Sequence, residues 1–247
     1  MKILITGGGC REAIDGVRFV TNMSTGRTAA FLADALAEKG AQVTAVMAHG
    51  ALLPKRAKSE CSDTHDSGCA ARDSKALHPV RLIRFESGAE LSAALQTELT
   101  RSRAHGEPYT AIVHAAAVSD FIPDMVSVDG VSYPAGRALR KLHSGGSMTV
   151  TFRAAPKIAD NLRDWAGAGT VIFCCKLTNG ATADEQRTAV HGLFSHSAAD
   201  YVIANDLSQL SAVAHPFTMF ARDGNTVAHG ATLDDLVHAV AERCQQE

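Results

Sequence analysis

The sequence predicts an α/β fold: a Rossmann-like, open, mostly parallel sheet with helices on both faces and a small β-hairpin addition. Three observations carry this. Apolar runs of strand length at residues 2–6, 42–48, 80–85, 109–114, 170–175 and 201–204 alternate with stretches of helical period. Several of them, such as KILIT, YTAIVH and TVIFCC, have continuous apolar centres rather than alternating ones, as strands covered on both faces do. Two of them open onto small residues, Gly7, Gly8 and Gly9 in one case and Ala115, Ala116 and Ala117 in the other, at the edge where such sheets receive ligands.

With 247 residues, 46% of them hydrophobic, the chain can bury a full core, and a single domain over residues 1–247 is expected, with no internal repeat. A net charge of −2 argues against an electrostatically driven surface for nucleic acid or anionic membrane, since such binding needs clustered Lys and Arg. No apolar run approaches the ~20 residues of a spanning helix, and the amino end is too short in its apolar part for a secretory signal. The expected location is cytoplasmic. Six cysteines in a chain of this size do not form a disulfide framework, and the adjacent Cys174 and Cys175 read as buried thiols. Cys61, His65 and Cys69 share a polar loop, but their four-residue gaps do not match a CxxC knuckle, and no metal site is expected.

In chain order, residues 2–6 form a buried strand that hands over to the three glycines. These are contiguous rather than spaced as GxGxxG, and about fifteen residues separate them from the next helix start. The following strand, 42–48, ends in His49, Gly50 and Ala51, where a nicotinamide site wants an acid. Both facts argue against an oxidoreductase. Residues 17–29, VRFVTNMSTGRTA, combine an apolar run that suits a buried turn with Asn22, Ser24, Thr25 and Gly26 crowding a helix start. Ser24 or Thr25 can cap that helix, and its free N–H groups, with Gly26 keeping bulk away, would face a phosphate or carboxylate. A plain cap without ligand is the alternative.

Residues 52–78 are polar and aperiodic, a surface loop of disorder-prone composition. A strand at 80–85 precedes a helix capped by Ser87, running to about residue 102 with Leu91, Leu95 and Leu99 facing the core. After the strand at 109–114, the small residues let a flat group approach the backbone, and Asp120 stands where it can bond a ribose or a metal-bound water. Close helix packing beside a solvated Asp is the bland alternative. Residues 121–146 read as a flexible arm, a long connection with several glycines and the cations Arg137, Arg140 and Lys141. Three cations there suit a triphosphate, with a solvated cluster as the default.

Residues 148–152 alternate as a strand, and Pro156 suits the first turn of a helix reaching residue 165. A strand at 170–175, a helix at 182–194 and a strand at 201–204 follow, the last ended by Asn205 and Asp206 at a loop. Residues 217–222 and 226–230 flank Asp223, Gly224 and Asn225 as a hairpin. Thr232 caps a final amphipathic helix with Leu233, Leu236, Val237 and Val240 inward.

Four blocks, ITGGGCREAIDGVRFVTNMSTGRTA, HAAAVSDF, KLHSGG followed by PKI, and DYVIANDLS, stand in the order and spacing of phosphopantothenate–cysteine ligases, and the chain most resembles their stand-alone bacterial form. The resemblance implies a Rossmann-like homodimer with a shared active site. It would activate a carboxylate with a nucleoside triphosphate, CTP in most bacteria with ATP as the other option, and join it to the cysteine amine with Mg²⁺ on the triphosphate. By resemblance Asn22 falls on the catalytic asparagine and Lys141 on the triphosphate-contacting lysine. Gly8, Ser24, Gly26 and Asn205 fall on substrate-phosphate positions, and Ala116, Ala117, Asp120 and Lys176 on nucleotide positions. The chain departs from the family at Cys10, where Thr is common, and at Cys175, where Phe precedes the lysine. It departs again at His191 and His196, or their neighbours Gly192 and Ser197, where lysines are usual. A ligase for another carboxylate and amine, and a silent nucleotide- or phosphate-binding relative, therefore stay open.

Overall fold

The computed structural model describes residues 1–59, 78–143 and 146–246. The chain runs through β1 (Lys2–Gly7), β2 (Arg11–Ala13), β3 (Phe19–Thr21), α1 (Arg27–Glu38), β4 (Gln42–Ala48), β5 (Ala57–Ser59), β6 (Val80–Phe85) and α2 (Gly88–Ala104). There follow β7 (Ala111–His114), β8 (Phe121–Val128), β9 (Val131–Pro134), β10 (Met148–Ala154) and α3 (Leu162–Ala166). The last third holds β11 (Val171–Thr178), α4 (Ala183–His196), β12 (Tyr201–Asp206), β13 (Phe217–Ala221), β14 (Thr226–Gly230) and α5 (Leu233–Gln246).

The main sheet has the order β14-β13-β12-β11-β7-β1-β4-β6-β5, parallel from β5 to β12. The expected hairpin, β13 and β14, extends this sheet antiparallel to β12. Strand alternation divides the core between two faces. Ile3 and Ile5 pack with Leu32 and Leu36 of α1 and Leu236 and Val240 of α5. Leu4 points the other way, towards Leu91, Leu95 and Leu99 of α2, Leu162 of α3 and Phe194 of α4. Each of these leucines contributes roughly 1.5–3 kcal/mol by leaving water.

Local chemistry explains the helix starts. Ser87 accepts from Glu90 N (3.2 Å) to cap α2. Thr182 and Glu185 form a capping box at α4. Asp235 accepts from Thr232 N and Thr232 Oγ1 at the start of α5.

Several expectations are corrected. The apolar run at 17–20 is not a buried turn: it belongs to the two-stranded ribbon β2–β3, where Val17 is 59% and Phe19 44% exposed, the Phe19 ring lying under the Arg11 guanidinium. The first half of the connection at 121–146 is sheet, since β8 pairs antiparallel with both β9 and the following β10. Its turn is Asp129 (φ 50°) and Gly130 (φ 82°), the left-handed pair that a two-residue hairpin demands. Within 52–59 the chain adds the short edge strand β5, while Cys61, His65 and Cys69 lie outside the described residues. Pro156 precedes a 3-10 turn at Ile158–Asp160, and the helix proper is only α3. The strand expected at 201–204 runs on through Asn205 and ends at Asp206: both are buried in β12, paired with Leu177 and Thr178.

Candidate active site

The sheet reverses direction of growth at β1. The chain passes from β1 to β4 and β6 on one side, then returns to lay β7 on the other. A crevice therefore opens beyond the carboxyl ends of β1 and β7, where such sheets bind ligands. Gly9 and Ala117 form a parallel bridge across it, with Ala117 N donating to Gly8 O (2.9 Å) and Cys10 N to Ala117 O (3.1 Å). Beneath, Thr6 Oγ1 accepts from Ala116 N (3.0 Å) and lies 3.0 Å from Nδ1 of the buried His114. Burial pushes that imidazole down to about 4, so it is neutral at physiological pH. Burial, with Glu12 nearby, pushes the Cys10 thiol up to about 12, which removes it as a nucleophile.

The glycines are steric requirements. Gly8 has φ 89°, and a Cβ there would lie 2.7 Å from the Cβ atoms of Ala48 and Ala51. A Cβ on Gly9 would lie 2.3 Å from Asn22 O. After the β2–β3 excursion, the chain is thus brought back against the glycine loop at Asn22. Asn22 Nδ2 donates to Val118 O (3.2 Å), fixing the asparagine beside the Ala116 to Asp120 segment.

The helix start that follows differs from the expected cap. Neither Ser24 nor Thr25 is the N-cap of α1; Gly26 is, in the left-handed region at φ 71°, and no side chain caps it. Thr25 Oγ1 still accepts from Arg27 N (3.3 Å). A Cβ on Gly26 would lie 3.3 Å from Gly8 N, so the two glycine backbones meet despite their separation in sequence. The first turn of α1 carries no acidic side chain, which leaves its positive end available to an anion. Arg27 donates to Ser211 O (3.2 Å) and to Ala212 O, drawing the segment after β12 to this helix start. Asn205 Nδ2 donates to Pro216 O (2.7 Å) in that segment.

On the other side of the crevice, exposed Asp120 forms an ion pair with Lys157, and its backbone carbonyl accepts from Ala155 N (2.9 Å). Lys157, placed just after β10 in the PKI block, is a candidate that sequence reading passed over. Lys176 lies near the carboxyl end of β11, half-buried, and Lys141 is exposed. Among the described residues no hydrogen bond joins either lysine to Asn22 or Asp120. Arg137 is engaged by Glu86.

His191 and His196 do not stand in for lysines at this crevice. His191 lies against Gly224, in the turn after β13, which runs antiparallel to β12 and so reaches the opposite edge of the sheet. His196, in the last turn of α4, has Nδ1 2.5 Å from Asp160 Oδ1.

Residues 1–65 match the family model for the DNA/pantothenate metabolism flavoprotein C-terminal domain. That stretch contains the glycine loop, Asn22 and the start of α1. The likeness to that family is carried by this stretch of the chain. It is similar to the coenzyme A biosynthesis bifunctional protein CoaBC of Thermococcus kodakarensis, 25% identical over 90% of this chain and 45% of the relative. The chain thus spans about half the length of that curated relative. In fold, the protein from Streptococcus pneumoniae described as a DNA/pantothenate metabolism flavoprotein superposes with a TM-score of 0.77 at 23% identity, covering 100% of this chain and 99% of that one. A Cab2 mutant in complex with phosphopantothenate-cysteine superposes with a TM-score of 0.67 at 17% identity, covering 99% and 86%.

Proposed function

We propose that the chain is a nucleotide-dependent amide ligase, one Rossmann-like domain that joins 4'-phosphopantothenate to cysteine in coenzyme A biosynthesis. The observation that carries this is convergence: Gly8, Asn22, Gly26 and Ala116 to Asp120, far apart in sequence, meet at one crevice. A carboxylate is a poor acyl donor because oxide would have to leave. Its attack on the α-phosphorus of CTP, or of ATP, forms an acyl-nucleotidylate and releases pyrophosphate. The cysteine amine then adds to the acyl carbon, the nucleoside monophosphate leaves, and the amine proton is lost to solvent or the leaving phosphate.

The helix start at Gly26 with Gly8, Ser24 and Asn205 takes the substrate phosphate. Ala116, Ala117, Asp120 and Lys176 form the nucleotide platform. Asn22 uses one amide N–H on Val118 O and has a second for the acyl oxygen as the amine adds. Because Asp120 is engaged by Lys157, the donor set suits a Mg²⁺ held by triphosphate oxygens and water.

The test is pyrophosphate release with phosphopantothenate and cysteine present: it should depend on CTP or ATP, and indifference to both would sink the proposal. A second reading, a ligase of other specificity or a silent nucleotide-binding relative, draws support from the position of His191 and His196 away from the crevice. Melting shifts with nucleotide but no turnover across carboxylates and amines would favour the silent form.

Lys141→Gln should raise the nucleotide concentration for half-maximal rate about 10-fold, since one charge-assisted phosphate contact is lost. Its melting temperature should stay within about 2 °C, because the residue is exposed. Unfolding of this variant would show that the segment is structural instead. The active form is a homodimer. Its support is the apolar surface that β8, β9 and β10 leave exposed at Phe121, Val131, Met148 and Phe152. Sedimentation at micromolar concentration should return twice the chain mass, and a single-chain mass would remove the dimer.

A further inference from the structure

The turn between β2 and β3 contains Asp15, a carboxylate only 2% exposed that no substrate role requires. Its two oxygens have separate tasks. Oδ1 accepts from Val17 N (2.9 Å) and Arg18 N (2.8 Å), which closes the turn. Oδ2 accepts from Arg18 Nη1 (2.5 Å) and from Leu142 N (3.3 Å), which lies 127 residues away in sequence. The other guanidinium nitrogen of Arg18 donates to Leu142 O (3.2 Å), so Asp15, Arg18 and the Leu142 peptide close a ring. Two further bonds follow the same seam, Gly16 N to Leu139 O (2.7 Å) and Gly136 N to Ile14 O (3.1 Å). The segment carrying Lys141 is therefore fastened at residues 136, 139 and 142, with Arg140 and Lys141 exposed between the last two.

We propose that Asp15 is a positioning residue, whose buried carboxylate straps the Lys141 segment to the turn that leads through β3 to Asn22. The strap sets a phosphate-binding lysine and the asparagine at the acyl carbon in one frame, and this rests on the ligase reading above. Although burial alone would raise the carboxyl, the backbone N–H groups of Val17, Arg18 and Leu142 and the Arg18 side chain hold it below the usual carboxylate range. The strap is thus charged throughout the neutral range. A solvent-exposed ion pair would not hold a segment this way, because water competes for both partners.

Asp15→Asn separates the two tasks. Its single carbonyl oxygen must face the two turn N–H groups, which leaves an NH₂ group against two donors, Arg18 Nη1 and Leu142 N. The turn is kept and the strap is cut. Hydrogen exchange at residues 139–142 should accelerate at least about 10-fold while the core strands keep their protection. The KM for the nucleotide should rise about 10-fold with the KM for cysteine unchanged. In a Lys141→Gln background Asp15→Asn should add less than about 2-fold, because its effect runs through Lys141.

Unchanged exchange at 139–142, or equal and independent effects of the two substitutions on the nucleotide KM, would overturn the proposal. If Asp15→Asn does not fold, Arg18→Gln removes the bridge to Leu142 O from the half-exposed side and is read by the same measurements. Absence of any nucleotide-dependent turnover in the wild-type chain overturns the ligase reading, and with it a role in placing Lys141. Turnover with additive variants overturns the positioning role alone.

Discussion

Asn22→Asp is expected to slow amide formation by about 10²–10³-fold, the range for loss of one donor to a developing oxyanion. Asn22 stands where the glycine loop admits it: Gly9 has no side chain to meet the Asn22 carbonyl, and the amide donates across the crevice to Val118 O. A carboxylate cannot make that bond. It would face the Val118 carbonyl with acceptor against acceptor, and its charge would repel the oxygen that gains charge as the amine adds. Activation of the carboxylate, which takes place at the α-phosphorus, does not call on the amide. Pyrophosphate release in the absence of cysteine should therefore persist within about 3-fold, and the activated acyl intermediate should accumulate. The asparagine is exposed, so melting should shift by no more than about 2 °C. Amide formed at the wild-type rate would take Asn22 out of the chemistry.

Much of the sheet was readable because buried strands and helix caps leave local marks. KILIT and YTAIVH have continuous apolar centres since β1 and β7 are covered on both faces, and Ser87 and Thr182 sit where the helices begin. What escaped was settled by contacts distant in sequence. Nothing within VRFV says that these apolar residues face outward, because the ribbon that exposes them is closed by Asp15 and held by residues 136–142. The glycine loop and α1 looked too far apart to cooperate, and only the β2–β3 excursion lets Gly8 and Gly26 touch. One signal was present and unused: Asp129-Gly130 between alternating residues is a hairpin turn, and it converts the first part of the supposed flexible arm into β8 and β9. In the site, the helix start and the Ala116 to Asp120 segment meet as their small residues suggested. Lys157 was hidden, as a lone exposed lysine carries no pattern until its partner Asp120 is seen.

Asp206→Asn should lower the melting temperature by roughly 5–10 °C, a large effect for a change that keeps the side chain's shape. Asp206 is 3% exposed at the end of β12 and receives donors from three directions. Oδ1 accepts from Gly180 N (2.9 Å), Ser208 N (3.0 Å) and Ser208 Oγ (2.5 Å). Oδ2 accepts from Thr178 Oγ1 (2.7 Å) and Ala181 N (3.0 Å). Such bonds to Ser208, Ala181, Thr178 and Gly180 favour the charged form and hold the carboxyl far below its usual range. An amide has one acceptor oxygen and one donor group, so whichever way it turns, its NH₂ meets a backbone N–H that cannot rotate away. The cost falls on three elements together: the end of β11, the approach to α4 and the turn that follows Asn205. The sign of the pH dependence follows from linkage. A carboxyl whose folded pKa is depressed stabilises the fold above its unfolded value near 4, and that stabilisation is lost as pH falls towards the folded value. Between about pH 4 and pH 2 the wild-type chain should therefore lose stability more steeply than Asp206→Asn, and the gap between their melting temperatures should narrow. A gap that stays constant over that window, or an Asp206→Asn protein as stable as wild type at pH 7, would show that the knot of donors around Asp206 does not hold the strand ends together.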